Sequence, residues 1–437
     1  MVSSLVLHDH LKIFIEEVSM KLVVVGTGQG GSNIADEFVV LGKWVWKNRH
    51  IRIFTGGEND PIEKGIFAIN LGAGDLYGLK HIPHTEDHTI LLGTTDEFRG
   101  RGAGKVNADG AEQARKDTRK IVATIRDHGD VPTADAIMVI ATTAGGTGSG
   151  SVGVIIDMLK EAFHKPVYAM LVLPFANQYD DPDSMVNTAT CLKKVMENSQ
   201  ADAVFLIDNQ KFVRSNESMT LNYDLINRRI ADSFMDILCV GEETDRRFIG
   251  EVLDANDVIR ILNGPTAIGV GQAQVPKRSL SFLERIRGAG PSNKHFATSK
   301  EQIERAQNVL HRALGDLSVD CEMWENGTST YDAQHVLGLF AGPQEEATEE
   351  IVEMMDNILS EKVPGAGRRK GTYPGRTSDT ISVTVIVSNI GKGATMDMIE
   401  SFYIEATKMM DDTKSKKLDR VKDWQETSKS AALLPDL

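Results

Sequence analysis

Five short apolar runs in the first half of the chain constrain its fold more than any other feature. Apart from Lys21 at the start of the first, each run is apolar throughout, as expected of strands that are covered by helices on both faces. Helical patterns separate the runs, so the sequence predicts an α/β fold with a parallel sheet from Met20 to about Asn209. Ligands of such sheets bind beyond the carboxyl ends of the strands, and functional residues should therefore follow each run. The predicted strands are Lys21–Val25, Ile66–Ile69, Ile137–Ala141, Val167–Leu173 and Ala203–Ile207.

The second half of the chain has a different pattern, which predicts a smaller α+β domain. Apolar residues recur at helical spacing from Leu221 to Val240, so one long helix is predicted to link the two parts. Beyond Gly264 the pattern changes. The predicted elements there are a strand over Thr266–Val270, a glycine-rich loop over Gly288–Pro291, a helix opened by the capping box Ser299–Gln302, a strand over Val336–Phe340, a helix over Glu345–Leu359, a strand over Ile381–Val387 and a mostly helical end over Met396–Leu437.

The composition excludes several classes of protein. The chain has 437 residues, of which 41% are hydrophobic and 25% charged, so two or three globular units are expected. Its net charge of −14 disfavours nucleic acid as the main partner. The longest apolar run, Val167–Leu173, is far shorter than the roughly 20 residues that cross a membrane. Three cysteines without CxxC spacing fit a reducing cytoplasm, and residues 1–19 lack the features of a signal peptide.

A glycine-rich segment follows the first predicted strand and leads into a helix predicted over Ile34–Val40. Its sequence is Gly26-Thr27-Gly28-Gln29-Gly30-Gly31-Ser32-Asn33. Glycines let the backbone approach a phosphate, and the amides at a helix N-terminus stabilise its negative charge. Gly26, Gly28 and Gly31 also fit the GxGxxG pattern of dinucleotide-binding proteins. An NAD-dependent oxidoreductase and a ligand-free turn therefore stay open as alternatives at this point.

A second glycine-rich segment follows the strand predicted over Ile137–Ala141 and precedes a helix predicted over Val152–Glu161. It reads Ala144-Gly145-Gly146-Thr147-Gly148-Ser149-Gly150. Four glycines in six positions cost conformational entropy on folding, and a bound anion explains them. Successive amides and the hydroxyls of Thr147 and Ser149 predict an anion-binding nest. A valine at Gly148 is expected to occupy this nest and to leave the core intact. The segment lacks GxxxxGK[ST], so it is not an ordinary P-loop.

These segments resemble the nucleotide-binding loops of the tubulin/FtsZ superfamily. Ala144–Gly150 resembles the tubulin signature GGGTG[ST]G, and Gly28–Asn33 is similar to the first nucleotide loop of the superfamily. Ile34–Phe38 and Leu337–Pro343 look most like the archaeal CetZ branch. The resemblance covers about residues 20–410. It implies a Rossmann-like parallel-sheet GTPase domain, a central linking helix and a smaller α+β C-terminal domain. The implied ranges are 1–19 for an N-terminal extension, 20–218 for the GTP-binding domain, 219–245 for the central helix, 246–395 for the C-terminal activation domain and 396–437 for the C-terminal helices and tail.

The resemblance implies a site for GTP or GDP, with Mg²⁺ carried by the nucleotide phosphates. Tyr223 is expected to stack on guanine, while the amides of Asn227 and Asn33 offer both a donor and an acceptor to the edge of the base. Gly102-Ala103-Gly104 resembles the loop that senses the terminal phosphate. The implied nucleotide-binding residues are Gly28, Gln29, Gly30, Asn33, Asn70, Gly102, Ala103, Gly104, Ala144, Gly145, Gly146, Thr147, Gly148, Ser149, Pro174, Asn209, Tyr223 and Asn227.

Catalysis is implied to need a second subunit. Asp254 and Asp257 match the acids that reach the nucleotide of the adjacent subunit and orient or activate the attacking water. Read without the family, DxxD before an apolar run is most often a helix cap. Val252 stands where FtsZ often has asparagine, so a GTP-binding scaffold with negligible hydrolysis is an alternative.

The function that the resemblance implies is GTP hydrolysis coupled to head-to-tail polymerisation in the cytoplasm. The expected partners are other copies of the chain and adaptor proteins of unknown identity. Neither nucleic acid nor direct insertion into a membrane is expected.

Overall fold

A ten-stranded sheet organises the residues described by this computed structural model, which are 19–56, 64–93, 100–213, 219–240, 253–276, 299–325, 327–374 and 379–431. The strands of the chain are β1 Leu22–Thr27, β2 Ile66–Asn70, β3 Thr89–Leu91, β4 Ala136–Thr142, β5 Val167–Leu173, β6 Ala203–Asp208, β7 Gly264–Gln274, β8 Glu322–Glu325, β9 Thr328–Tyr331, β10 Ala333–Gly342, β11 Gly367–Pro374 and β12 Thr380–Ile390. The order in the sheet is β11-β10-β12-β7-β6-β5-β4-β1-β2-β3, while β8 and β9 form a separate hairpin.

Helices cover both faces of this sheet. They are α1 Gly28–Arg49, α2 Ala73–Tyr77, α3 Asn107–Lys116, α4 Thr118–His128, α5 Thr147–Phe163, α6 Pro182–Asn198, α7 Met219–Asp232, α8 Met235–Leu238, α9 Ala255–Ile261, α10 Ser299–Gly315, α11 Glu349–Lys362 and α12 Ala394–Ala431. Short 3₁₀ turns occupy Val131–Thr133, Ala176–Gln178, Asn209–Phe212 and Gln344–Glu346. Among the described helices, none is both long enough and apolar enough to cross a membrane.

The five strands predicted in the first half are confirmed as β1, β2, β4, β5 and β6, and they pair in parallel. Alternate residues of β1 enter two different cores. Val23 and Val25 pack on one face of the sheet, and Leu22 and Val24 pack on the other. This double burial explains why the runs are apolar throughout instead of alternating.

The strands of the second half extend the same sheet. β7, β10 and β12 contain the three strands predicted there, and β7 continues the parallel order by pairing Gly264 with Ala203 of β6. β12 then runs antiparallel to both β7 and β10. The helix predicted over Glu345–Leu359 is α11, which begins four residues later. Residues 1–18, Val252 and the loop predicted over Gly288–Pro291 lie outside the described residues.

The prediction of one continuous helix over Leu221–Val240 is wrong, because α7 and α8 are separated at Ser233 and Phe234. The Ser233 hydroxyl donates to the carbonyl of Ile230 at 2.7 Å and competes with the helical pattern. The Phe234 ring is buried against Phe205 with 5.0 Å between the ring centroids. Packing against the sheet therefore decides where this helix breaks.

Two other predicted helices begin earlier than expected. α1 begins at Gly28 instead of Ile34, and α5 begins at Thr147 instead of Val152. Each glycine-rich segment therefore supplies the first turn of a helix as well as the loop before it. The unpaired amides of a first helical turn point out of the helix end, toward the carboxyl edge of the sheet in this fold.

Asp36 ties α1 to the segment after α2, and its removal should destabilise the fold. Its buried carboxylate accepts hydrogen bonds from the backbone N–H groups of Lys80, His81 and Ile82 at 2.9, 2.8 and 2.7 Å. We expect Asp36→Ala to lower the free energy of unfolding by about 2–3 kcal/mol, because three backbone donors lose a charged acceptor that is itself buried. Urea unfolding measures the change. As a control, Asp232→Ala removes an exposed ion pair and should cost about 0–1 kcal/mol; equal losses would contradict the prediction.

Candidate nucleotide site

A cavity of about 700 Å³ opens at the carboxyl ends of β1, β2, β4, β5 and β6. This is the edge of the sheet at which the sequence predicts ligand binding. All but one of the predicted nucleotide-binding residues line it. These are Gly28, Gln29, Gly30, Asn33, Asn70, Gly102, Ala103, Gly104, Ala144, Gly145, Gly146, Thr147, Gly148, Pro174, Asn209, Tyr223 and Asn227.

The two glycine-rich segments touch each other through their backbones. Gly28 has a φ of +70°, and a Cβ atom there would lie 2.6 Å from the backbone nitrogen of Gly148. A Cβ atom on Gly148 would in turn lie 2.8 Å from the carbonyl oxygen of Thr27. The expectation that valine at Gly148 would occupy the anion nest is therefore wrong, because its side chain would strike the first segment. Gly145 is different, since its nearest contact would be Thr142 Oγ1 at 3.9 Å.

Ser149 is the predicted nucleotide-binding residue that does not line the cavity. It lies in the first turn of α5, is only 4% exposed, and donates its hydroxyl hydrogen bond to the carbonyl of Gly145. A serine within a helix commonly bonds the carbonyl four residues earlier, and the early start of α5 makes this bond possible. Ser149 therefore holds the backbone of the second segment in place from the side that faces away from the cavity.

The loop after β2 is held by side chains at the cavity. Asn70 Nδ2 donates to Asp75 Oδ2 at 2.9 Å, and Asn70 Oδ1 accepts from the backbone of Gly72 at 3.1 Å. Asp75 lines the cavity, although the sequence analysis does not single it out. Its signal in the sequence is its place five residues after Asn70, in the turn that opens α2.

Among the described residues, the cations that line the cavity are Arg101 and Lys105, and neither is predicted from the sequence. Lys105 directly follows the predicted site residue Gly104, and this position in the sequence could have identified it as a residue of the cavity. Lys105 Nζ lies 2.6 Å from Asp181 Oδ2. This hydrogen bond, with help from the Ser184 hydroxyl, holds the pKa of Asp181 below its ordinary value.

Asn187 connects the loop that resembles the phosphate sensor to the second glycine-rich segment. Its Nδ2 donates to the carbonyl of Lys105 at 2.9 Å and to the carbonyl of Ala144 at 3.2 Å. A phosphate lying between these two segments would therefore meet backbone that α6 holds in place.

The other end of the cavity is lined by the Tyr223 ring and by two asparagine side chains, those of Asn209 and Asn227. The Tyr223 ring is 42% exposed and packs edge-on against Phe175, with 5.4 Å between the ring centroids and 73° between the ring planes. Asn209 is buried, and its Nδ2 donates to the carbonyl of Leu173 at 3.0 Å. Asn227 lies one helical turn from Tyr223 and also lines the cavity.

The two predicted catalytic acids lie elsewhere. Asp254 and Asp257 do not line the cavity but form a capping box at the start of α9, where the backbone of Asp257 donates to Asp254 Oδ1 at 2.9 Å. Asp257 Oδ1 lies 3.8 Å from Nε of Arg369 on β11. Three strands separate β11 from β6, a distance of roughly 19 Å across the sheet at normal strand spacing. One subunit therefore does not bring these acids to its own cavity.

The strand order, the paired glycine-rich segments and the cavity they form define a nucleotide-binding protein with the tubulin/FtsZ fold. The model for the Tubulin/FtsZ family, GTPase domain, matches residues 21–217. The model for the Tubulin-like CetZ, C-terminal domain, matches residues 216–406. The chain belongs to the tubulin/FtsZ superfamily, on its CetZ branch. The predicted family and fold are confirmed.

Individual CetZ proteins match along most of the chain. Tubulin-like protein CetZ1 of Haloferax volcanii is 27% identical over 393 residues, which are 89% of this chain and 92% of that protein. The structure of CetZ1 from Haloferax volcanii as a GDP-bound monomer aligns with a TM-score of 0.69 at 25% identity, over 89% of this chain and 100% of that one. CetZ2 from the same organism, solved as a GTPγS-bound protofilament, aligns with a TM-score of 0.71 at 24% identity, over 90% and 100% of the chains.

Proposed function

We propose that this chain binds GTP and GDP in the cavity, polymerises head to tail, and hydrolyses GTP with acids from the adjacent subunit. The tubulin/FtsZ family to which it belongs is a family of cytoskeletal GTPases. The observation that carries the proposal is that both glycine-rich segments line one cavity of the subunit, while Asp254 and Asp257 lie away from that cavity. A neighbouring copy stacked on the cavity would bring the two together.

The cavity suits a triphosphate. The N-terminal turns of α1 and α5 direct backbone amides toward it, and Arg101 and Lys105 add positive charge. Among the described residues, no three potential metal ligands come together. Two described acids line the cavity, Asp75 and Asp224, and Asp224 pairs with Lys80 at 2.7 Å. We propose that Mg²⁺ is held by phosphate oxygens and waters, and that Asp75 would hold one of those waters. The ion would offset the charge of the phosphates.

Hydrolysis would occur at the contact between subunits. The oxygen of a water would bond to the terminal phosphorus, the bond from that phosphorus to the bridging oxygen would break, and GDP would leave with the electron pair. Asp254 and Asp257 of the adjacent subunit would orient this water and accept its proton. Their mutual capping bonds hold the pair at the exposed start of α9.

The surface around the cavity supports assembly. Val106, Val213 and Tyr223 are 48%, 41% and 42% exposed, and they follow or line the elements that build the cavity. We propose that these three side chains lie in the surface that the next copy covers. The same face of every copy would contact the opposite face of the next, and such a head-to-tail contact yields an open filament. A relative solved as a protofilament supports this arrangement.

A GTP-binding scaffold with negligible hydrolysis is the second candidate. The observation in its favour is that Asp254 and Asp257 hydrogen-bond each other as a helix cap, which by itself explains both acids. The NAD-dependent oxidoreductase suggested by Gly26, Gly28 and Gly31 is disfavoured by membership of a GTPase family. We further propose a cytoplasmic location and the domain boundaries 20–218, 219–245, 246–395 and 396–437.

Base selectivity tests the proposal. We expect GDP to bind at least about a thousandfold more tightly than ADP, because a site that hydrogen-bonds one edge leaves polar groups unpaired against the other. Calorimetry on nucleotide-free protein measures both affinities. Asn227→Ala should lower the ratio of GDP affinity to ADP affinity. Asn48→Ala, at the far end of α1 where its amide donates to the carbonyl of Trp44, is the control and should leave the ratio unchanged. Equal affinities for GDP and ADP in the unmutated protein would exclude a guanine site.

A further inference from the structure

The edge strand β11 carries three consecutive cationic residues beside the predicted catalytic acids. Arg368, Arg369 and Lys370 form what we call the cationic strip, and they line a second cavity of about 560 Å³. The other described residues that line this cavity are Leu253, Asp257, Asp356 and Ala366. The strip therefore meets the segment that begins α9 within a single site.

The charges of the strip are unevenly matched. Arg368 Nε and Lys370 Nζ lie 3.0 and 3.4 Å from the same carboxylate, that of Asp356 on α11. Because side chains alternate along a strand, Arg369 points to the other face, where it meets Asp257 at 3.8 Å. Among the described residues, the three cations of the strip thus pair with two carboxylates, so one positive charge is unmatched there in a chain whose net charge is −14.

Two neighbouring groups orient the Arg369 guanidinium, and it keeps further hydrogen-bond donors free. Its Nη1 donates to the carbonyl of Arg368 at 3.2 Å, and its Nε faces Asp257. Within the described residues, no acceptor meets its Nη2. The side chain is 47% exposed, so another molecule can reach it. A guanidinium with free donors is the side chain best shaped to bind two oxygens of a phosphate or carboxylate at once.

An acid that approaches a triphosphate needs such a cation. The carboxylate of Asp257 and the terminal phosphate are both negative, and their repulsion grows as water is excluded from the contact. The distance of 3.8 Å between Arg369 Nε and Asp257 Oδ1 is longer than a hydrogen bond but short enough for an ion pair, so Arg369 attracts the carboxylate electrostatically. The positive charge of Arg369 can therefore offset the negative charge of Asp257 while the carboxylate stays free to contact the attacking water.

We propose that Arg369 is a positioning residue of the site shared between subunits: it orients Asp257 and offsets its charge against the terminal phosphate of the nucleotide bound by the adjacent subunit. The inference rests on the proposed function. It assigns a role to a residue of β11, a strand that lies at the far edge of the sheet from the nucleotide cavity.

Arg369→Ala tests the inference. GTP affinity of the dilute, unassembled variant should stay within about twofold of the unmutated protein, because the cationic strip is remote from the nucleotide cavity. At saturating GTP, the rate of phosphate release per sedimented subunit should fall on the order of tenfold or more. Arg369→Lys keeps the charge and should recover part of the rate. Lys370→Ala is the matched control, since Arg368 still pairs with Asp356, and its rate should stay within about twofold.

Two further measurements keep the inference falsifiable. If Arg369→Ala assembles poorly, it is mixed with Gly145→Val subunits, which would lack nucleotide but keep Arg369 and both acids. Recovery of phosphate release in co-sedimenting mixtures supports the inference, and its absence overturns it. The inference also fails if Arg369→Ala assembles and hydrolyses at the normal rate while Asp254→Asn with Asp257→Asn is inactive. If that acid double variant hydrolyses normally, the proposed function is wrong instead.

Discussion

Gly145→Val should abolish binding of GTP and GDP while leaving the fold intact. Gly145 lines the cavity, and a Cβ atom there meets no protein atom closer than Thr142 Oγ1 at 3.9 Å. The valine methyl groups would therefore enter the space between the two glycine-rich segments, where the phosphates are proposed to lie. Loss of two charge-assisted hydrogen bonds at about 1.5–3 kcal/mol each lowers affinity on the order of a hundredfold or more. Calorimetry with GDP measures the loss.

Gly148→Val, in the same glycine-rich segment, is the control for Gly145→Val. Gly148→Val should lose stability as well as binding, because its side chain would strike the Thr27 carbonyl. Thermal unfolding of Gly145→Val should match that of nucleotide-free unmutated protein, whereas Gly148→Val should unfold at a lower temperature. If Gly145→Val binds GDP normally, the phosphates do not lie against the second segment.

The second large effect is expected on the rate of GTP hydrolysis when Asp254 and Asp257 are replaced. Asp254→Asn combined with Asp257→Asn should bind GTP normally, hydrolyse it on the order of a hundredfold more slowly, and form longer-lived filaments. Asparagine is chosen because Asp254 caps α9 through the backbone of Asp257, and asparagine caps a helix about as well as aspartate. The same change made with alanine should also lower stability by about 1 kcal/mol. Comparing the stability and GTPase rate of the double asparagine variant with those of the double alanine variant separates the effect on helix capping from the effect on catalysis.

Mixing two inactive variants tests whether the site is shared between subunits. Gly145→Val keeps both acids but should lack nucleotide, and the asparagine pair should hold GTP but lack the acids. If each active site is built by two subunits, a mixture should regain part of the GTPase activity, and the gain should rise with protein concentration. Light scattering follows assembly, and phosphate release follows hydrolysis. No gain in a mixture that co-sediments, together with a rate per subunit that is independent of concentration in the unmutated protein, would place catalysis within one chain.

The parallel core of the first half was predictable because its signal is local. A strand buried on both faces must be apolar along its whole length, so β5 matches its predicted range Val167–Leu173 at both ends. β11 gives no such signal, because an edge strand is less buried and tolerates charged residues such as those of Gly367-Arg368-Arg369-Lys370. The break after α7 was also unpredictable, since it depends on the packing of Phe234 against Phe205 from another part of the chain.

The sequence by itself determined that the two glycine-rich segments and the polar residues after the strands meet at one cavity, because the carboxyl ends of parallel strands lie at the same edge of the sheet. It did not reveal Asp75, Arg101 or Lys105, which also line that cavity. Only the tertiary structure decided how those residues are used. The early start of α5 turns Ser149 away from the cavity, and the contact between segments turns Gly148 into a packing position. Strand order puts Asp257 beside Arg369, remote from the nucleotide cavity of the same chain. Such proximities join residues far apart in sequence, so no local pattern records them.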